Sequence, residues 1–362
     1  MAGRHNIGTC AFLAVALTAL AVLVSAPSAS ALELRVRDNQ LVDGRGEVVR
    51  LLGVNRSGAE YACIQGWGIF DGPSGRRSIR AMKSWRINAV RVPLNEDCWL
   101  GINGVDPKLG GAAYRDAIEA FVGRLNRAGL YVILDLHVAA PGGLKAVGII
   151  PLPDADHAPD FWRSVATRFE DNRALAFDLY NEPHDVGWSC WRNGCTLPSG
   201  GEGSEAHPAY RAAGMQELVD AVRSTGARQP LLVGGRGYAR NLSGWLENRP
   251  NDPAGQLVAS EHNYGGLAPC GPRCRGAIAR VARTFPVVVG ELGQTDCRHD
   301  YIDHFMPWAD RRGISYLGWT WDAVAPGSWS CRGGPSLIEN YRGRPTGFGV
   351  GFRDHLRALA LR

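Results

Sequence analysis

Two glutamates stand out by context and spacing. Glu182 follows the apolar run 175–181 and Glu291 follows 287–290, so each carboxylate closes a short, strand-like stretch. They lie 109 positions apart, three βα units of about 36 residues each. Two carboxyl groups facing one another across a rim are what cleavage of a glycosidic bond needs. One protonates the leaving oxygen while the other acts from the opposite side of the sugar ring. A lone rim glutamate would be ordinary; a spaced pair points to chemistry. Other polar or aromatic residues end strand-like runs in the same way. Arg91 lies within 89–94, His137 ends 131–137, and Asn181 precedes Glu182. His262 and Tyr264 end 257–264, and Trp319 and Trp321 end 315–321.

The elements that would carry these residues alternate regularly. Continuous apolar runs at 51–55, 89–94, 131–137, 175–181, 231–235, 257–264, 287–290 and 315–321 are separated by amphipathic stretches such as 112–128, 160–169, 209–224, 277–284 and 301–312. Strands apolar on both faces, each followed by a helix, predict parallel βα units of the α/β class. Eight of them close most naturally into a (β/α)8 TIM barrel, with an open doubly wound sheet as the alternative. In such a barrel the strand ends and the loops after them hold the site. Residues 32–49 alternate apolar and polar around Asp43-Gly44-Arg45-Gly46, which predicts a short N-terminal β-hairpin lid. With no linker or short-period repeat, and a final helix at 353–361, residues 32–362 read as one catalytic domain.

Residues 1–31 read as a signal peptide. A basic start at Arg4 and His5 leads into an apolar run, and Ala29-Ser30-Ala31 forms an A-x-A cleavage site. An uncleaved membrane anchor is the alternative. Cleavage would remove Cys10 and leave eight of the nine cysteines, an even number that suits disulfides in a secreted protein. Zinc is the competing use, but there is no paired CxxC and no cysteine at ligand spacing from a histidine. The net charge of +5 is mild and unclustered, which argues against nucleic acid as a partner. No G-x-S-x-G elbow marks a serine esterase. Gly347-Phe348-Gly349-Val350-Gly351 lacks the strand-to-helix setting of a phosphate loop. The expectation is a secreted monomer that binds carbohydrate, with no cofactor, no metal and no membrane attachment after leader removal.

The motifs themselves resemble a known family. Leu179-Tyr180-Asn181-Glu182-Pro183-His184 is similar to the acid/base motif of glycoside hydrolase family 5, the large family of cellulases and mannanases, and Val288-Val289-Gly290-Glu291-Leu292-Gly293 to its nucleophile motif. Gly53-Val54-Asn55, Val90-Arg91-Val92-Pro93, Leu134-Asp135-Leu136-His137, His262-Asn263-Tyr264 and Trp319-Thr320-Trp321 resemble its first, second, third, sixth and eighth strand ends. The resemblance implies a retaining β-glycoside hydrolase in which Glu182 is the acid/base and Glu291 the nucleophile. It implies that Asn181 bonds the sugar 2-hydroxyl, that Arg91 and Tyr264 hold Glu291 as an oriented carboxylate, and that His137 and His262 donate near the reacting ring. Trp319 would be the sugar platform, with Trp321 as the alternative. Arg91 pairing only with Asp135 or Asp178 is the duller reading of that residue.

Family frequency favours a β-1,4-glucan substrate. The alternatives are a β-mannan, exo-action on a short glycan, or a non-catalytic carbohydrate-binding barrel. Long segments at 138–159, 183–205 and 322–339 have the length to wall a cleft into a pocket. Trp67, Trp99, Trp188, Trp191 and Trp329, in loops after strands, are candidates for stacking on sugar faces. Trp85, Trp162, Trp245 and Trp308 read as core, and His157, His207, His299, His304 and His355 as structural. Expected bridges are Cys190–Cys195 and Cys270–Cys274, from closeness in sequence and intervening Gly or Pro, and Cys63–Cys98 and Cys297–Cys331, from barrel adjacency.

Overall fold

The computed structural model describes residues 1–3, 32–266, 270–323 and 335–361. Its centre is a closed barrel of eight parallel strands. These are β1 (Leu52–Asn55), β2 (Ala89–Asn95), β3 (Tyr131–Val138), β4 (Leu175–Asp178), β5 (Leu231–Gly234), β6 (Leu257–Gly265), β7 (Val287–Gln294) and β8 (Ser315–Gly318). Each pairs with its neighbours in sequence, and β8 pairs with β1 to close the ring. Every residue of β2 and of β3 is buried, as expected of strands that are mostly apolar on both faces.

The two-residue period of a strand sorts those side chains. Val90, Val92, Leu94, Val132, Leu134 and Leu136 join the large core with Ile118, Phe121 and Leu125 of the helix Ala112–Arg127. The opposite parity gives Ala89, Tyr131, Ile133, Ala176, Leu232, Val258, Val288 and Leu317 to a second core inside the barrel. Continuing that parity up β2, β3 and β4 replaces apolar residues by Arg91, Asp135 and Asp178. The barrel is thus apolar at its base and ionic towards its rim.

The N-terminal segment seals the base. Arg35–Arg37 pairs antiparallel with Gln40–Val42, and Val42 bridges to Val48 around the expected Asp43–Gly46 turn. Asp43 Oδ1 accepts from the N–H groups of Arg45 (2.8 Å) and Glu47 (2.9 Å), which fixes that turn. The tighter turn at Asp38 was not expected. Leu34 and Leu41 enter the inner core, so the hairpin covers the end of the barrel away from the strand C-termini.

The expected helix at 209–224 is shorter, Met215–Arg223, because Tyr210–Ala212 pairs with Cys195–Leu197 as a small antiparallel ribbon. The bridges Cys63–Cys98, Cys190–Cys195 and Cys270–Cys274 are present, with Cα separations of 6.1, 5.2 and 5.2 Å. Cys297 is disulfide-bonded, and its expected partner Cys331 lies outside the described residues, as do residues 4–31 of the leader and Trp329. Peptide mapping without reductant is expected to recover the three bridges and a Cys297–Cys331 peptide. Free thiols at these positions would contradict both the pairing and a secreted origin.

Candidate active site

Glu182 lies just past β4, in chain still clasped by its neighbours. Leu179 N–H donates to the Leu232 carbonyl and Asn181 N–H to the Leu136 carbonyl, each at 3.0 Å. Glu291 sits within β7 at an irregularity. The β6–β7 register jumps between Val289 and Glu291, so Gly290 is an extra residue that re-aims the glutamate. A Cβ at Gly290 would stand 3.0 Å from Ser260 Oγ and 3.2 Å from His262 Nε2, so a side chain there would press on both.

These two strand ends bring the carboxylates together. One oxygen of Glu182 and one of Glu291 lie within 4.8 Å of each other and of His262 Nδ1. Around Glu291, Arg91 Nη1 donates to Oε1 at 2.9 Å and the Tyr264 hydroxyl donates to Oε2. Burial first, and the Glu291 charge next, push the Tyr264 phenol well above its usual range, so it remains a donor.

Arg91 also meets Asp135 (3.0 Å), Asp178 (3.0 Å), Asn181 Oδ1 (2.9 Å) and Asn55 Oδ1 (3.0 Å). Arg91 therefore contacts Glu291 as well as the core carboxylates, and does not pair with Asp135 and Asp178 alone. Burial opposes its charge, but Asp135, Asp178 and Glu291 outweigh burial and raise its pKa further. A guanidinium suits this position because its fork serves several acceptors at once.

The histidines are held neutral by burial. Burial lowers His262 to about 3 and His137 to about 4. His262 Nδ1 lies 2.9 Å from Glu182 Oε1 and 3.6 Å from Glu291 Oε2. His137 Nδ1 lies 2.7 Å from Asp135 Oδ2, which sets the tautomer and turns Nε2 towards Asn181 Nδ2 at 3.4 Å. Glu182 is raised above the usual carboxylate range by burial, against the pull of His137 and Arg91.

Trp319 stacks on His137, with ring centres 5.4 Å apart and planes at 10°, and lines a cleft of about 850 Å³. Trp321 is fully buried and packs edge-on against Trp85 at 4.8 Å, so it is core. Two other loop tryptophans are corrected in the same way. Trp99 bonds Ser164 Oγ and Trp191 bonds the Gly234 carbonyl, both fully buried because short helices after β2 and β4 turn them inward. Trp67 is exposed. Its Nε1 donates to Gln65, which lines the cleft. Sequence reading missed His184, which stacks on Tyr238 at 4.3 Å beside Glu182. It also missed the cleft-lining Tyr61, whose hydroxyl meets Asp71 at 2.7 Å. Val147, Gly148 and Ile149 line that cleft together with Ser204 and Glu205. A Cβ at Gly148 would lie 2.1 Å from the Ser204 carbonyl, so the loops after β3 and β4 touch.

A family model described as cellulase (glycosyl hydrolase family 5) matches residues 42–324. The chain belongs to glycosyl hydrolase family 5. Among similar proteins, endoglucanase E-5 of Thermobifida fusca is 22% identical over 297 residues, spanning 80% of this chain and 54% of that relative. The mannan endo-1,4-beta-mannosidase of Streptomyces lividans is 23% identical over 340 residues, 90% of this chain and 76% of the relative. The chain thus spans about half the length of the first of these and three quarters of the second. The barrel is shared with β-glucanase SdGluc5_26A from Saccharophagus degradans, at a TM-score of 0.67 and 19% identity over 91% of this chain and 94% of that one. The cellotetraose complex of that β-glucanase superposes with a TM-score of 0.66. The relatives in the family are named as an endoglucanase and a mannan endo-1,4-beta-mannosidase.

Proposed function

We propose that this family 5 enzyme is a secreted, retaining β-glycoside hydrolase that cleaves a β-1,4-glucan by double displacement. The observation that carries the reading is the approach of the Glu182 and Glu291 carboxylates to within 4.8 Å at their nearest ligand atoms. Retention uses carboxyl groups about 5–5.5 Å apart, whereas inversion needs about 6.5–9.5 Å to admit a water. Glu291, oriented by Arg91 and Tyr264, attacks the anomeric carbon. Glu182 first protonates the leaving oxygen and then activates water. Asn181, locked through its Oδ1 by Arg91, presents its amide to the sugar 2-hydroxyl. His137 and His262 are neutral polar groups beside the reacting ring, and Trp319 is the platform beneath the sugar. The rim disulfides and the leader support an oxidising, extracellular setting for the domain 32–362.

The test is hydrolysis of carboxymethyl cellulose, mixed-linkage β-glucan and mannan. The first product anomer is read by proton NMR and chain length by chromatography. The β-anomer forming first is the expected result; the α-anomer first would overturn the mechanism. The name of the Streptomyces relative makes mannan the second substrate reading. The touching loops after β3 and β4 favour exo-action, which would release only short products from the outset.

The two tryptophans provide a separate check. Trp319→Ala is expected to raise KM and lower kcat/KM about 10-fold or more with little change in Tm. Trp321→Ala is expected to cost about 3–5 kcal/mol of stability, read by denaturant unfolding. The reverse pattern would exchange their roles.

A further inference from the structure

Beside the cleft, a second cluster of ionisable groups is used by none of the chemistry above. Glu96 opens the helix Glu96–Leu100 after β2, and Asp154 ends the long loop after β3; both are fully buried. His157 Nδ1 lies 3.5 Å from Asp154 Oδ1, 4.0 Å from Glu96 Oε2 and 3.5 Å from the Ala140 carbonyl. One possible ligand atom from each of Glu96, Asp154 and His157 lies within 4.8 Å of the other two. Asp156, on the solvent side, accepts from Gly142 N–H at 2.8 Å and neighbours the Asp154 carboxylate. His157 was expected to be structural because nothing near it in sequence sits at ligand spacing; the fold brings Glu96 to it from another strand end.

Half of the buried carboxylate oxygens have donors. Glu96 Oε2 accepts from Ala140 N–H at 3.2 Å, and Asp154 Oδ1 from His157 N–H at 2.7 Å. Glu96 Oε1 and Asp154 Oδ2 are buried with no hydrogen-bond partner. Among the described ion pairs, His157 is the sole basic partner of either carboxylate. Burial, and then their mutual repulsion, raises Glu96 well above the carboxylate range, and burial takes Asp154 to about 7. Adjacent buried carboxylates without a counter-charge are costly, and are relieved by a shared proton or by a cation. A shared proton would need only the two oxygens. Here the His157 imidazole lies close to both carboxylates, the Ala140 carbonyl lies 3.5 Å from that imidazole, and the Asp156 carboxylate adjoins Asp154.

We propose that Glu96, Asp154 and His157, with the Ala140 carbonyl and Asp156 completing the solvent side, bind one divalent cation. The donors are mostly oxygen with one nitrogen, a set open to calcium, manganese or zinc. The cation would tie the loop that supplies Val147, Gly148 and Ile149 to the cleft wall onto the helix carrying Cys98. This site stands independently of the substrate and mechanism proposed above.

The test uses the full chain freed of metal by chelator and then returned to chelator-free buffer. Thermal unfolding and calorimetric titration are run with CaCl2, MnCl2 or ZnCl2 alone. At least one cation is expected to bind one equivalent per chain and to raise Tm by about 3–8 °C, saturably. The double variant Glu96→Gln/Asp154→Asn should lose the equivalent and the Tm response. Should that variant fail to fold, the exposed Asp156→Asn single variant should fold and bind about 10-fold more weakly. Equal binding by wild type and these variants would place the cation elsewhere and overturn the assignment. A wild-type chain whose Tm ignores all three cations would also overturn it, assigning the pair a shared proton instead.

Discussion

Replacing Glu291 with glutamine is expected to lower kcat/KM by about 10⁴-fold or more while leaving the protein folded. The loss follows from the proposed role. An amide oxygen cannot form the glycosyl-enzyme, so the first displacement disappears instead of slowing. Such a factor corresponds to about 5.5 kcal/mol of lost transition-state stabilisation. Retention of the fold follows from the surroundings. Removing one partner of a buried ion pair usually costs about 3–5 kcal/mol, because the other charge is left uncompensated. Arg91 is not left so: Asp135 and Asp178 each remain 3.0 Å from it. The amide also keeps an oxygen for Arg91 or Tyr264 to bond. The measurement is kcat/KM on an aryl glycoside and on the best polysaccharide, with Tm read on the same samples. Near-normal turnover would mean that another group is the nucleophile. Lost turnover with a collapsed Tm would show that Glu291 acts through folding.

The contrast with Arg91 explains how much of this was legible in sequence. A strand buried on both faces reads as an apolar run, and an arginine inside one is visible as an intruder. All eight strands appeared as such runs, with ends displaced by at most a few residues, since apolar periodicity is a local signal. The rim residues Glu182, Glu291, Arg91, His137, Asn181, His262, Tyr264 and Trp319 were readable because each sits beside its strand's own run. Burial by loops was not readable. Trp99 and Trp191 lie in short helices whose inward turn depends on Ser164 and Gly234, distant in the chain. The Glu96–Asp154–His157 cluster was hidden for the same reason. Burial at the barrel mouth also raises the pKa of Glu182, and that much follows from its place at a strand end.

That shift underlies the second large effect. Glu182→Gln is expected to lower kcat/KM on a polysaccharide by about 10²–10⁴-fold, the usual contribution of a positioned acid/base. On an aryl glycoside with an excellent leaving group the first step should be nearly spared, since departure then needs no proton. Turnover would instead stall at the glycosyl-enzyme, where no base remains to activate water, and a burst of aryl alcohol should precede a slow steady state. Azide is expected to restore turnover, because an anionic nucleophile needs no base and the neutral amide no longer repels it. The pH profile carries an independent signature. Burial raises the Glu182 pKa above the usual carboxylate range, so in the wild-type enzyme the proton it must donate is retained to higher pH and lost on the basic limb. With glutamine in its place that limb should flatten for the activated substrate. His262, whose Nδ1 lies 2.9 Å from Glu182, is held neutral by burial, with its pKa lowered to about 3, and should not replace the lost limb. A variant equally inert towards activated and natural substrates, unrescued by azide and with its basic limb intact, would remove Glu182 from the acid/base role.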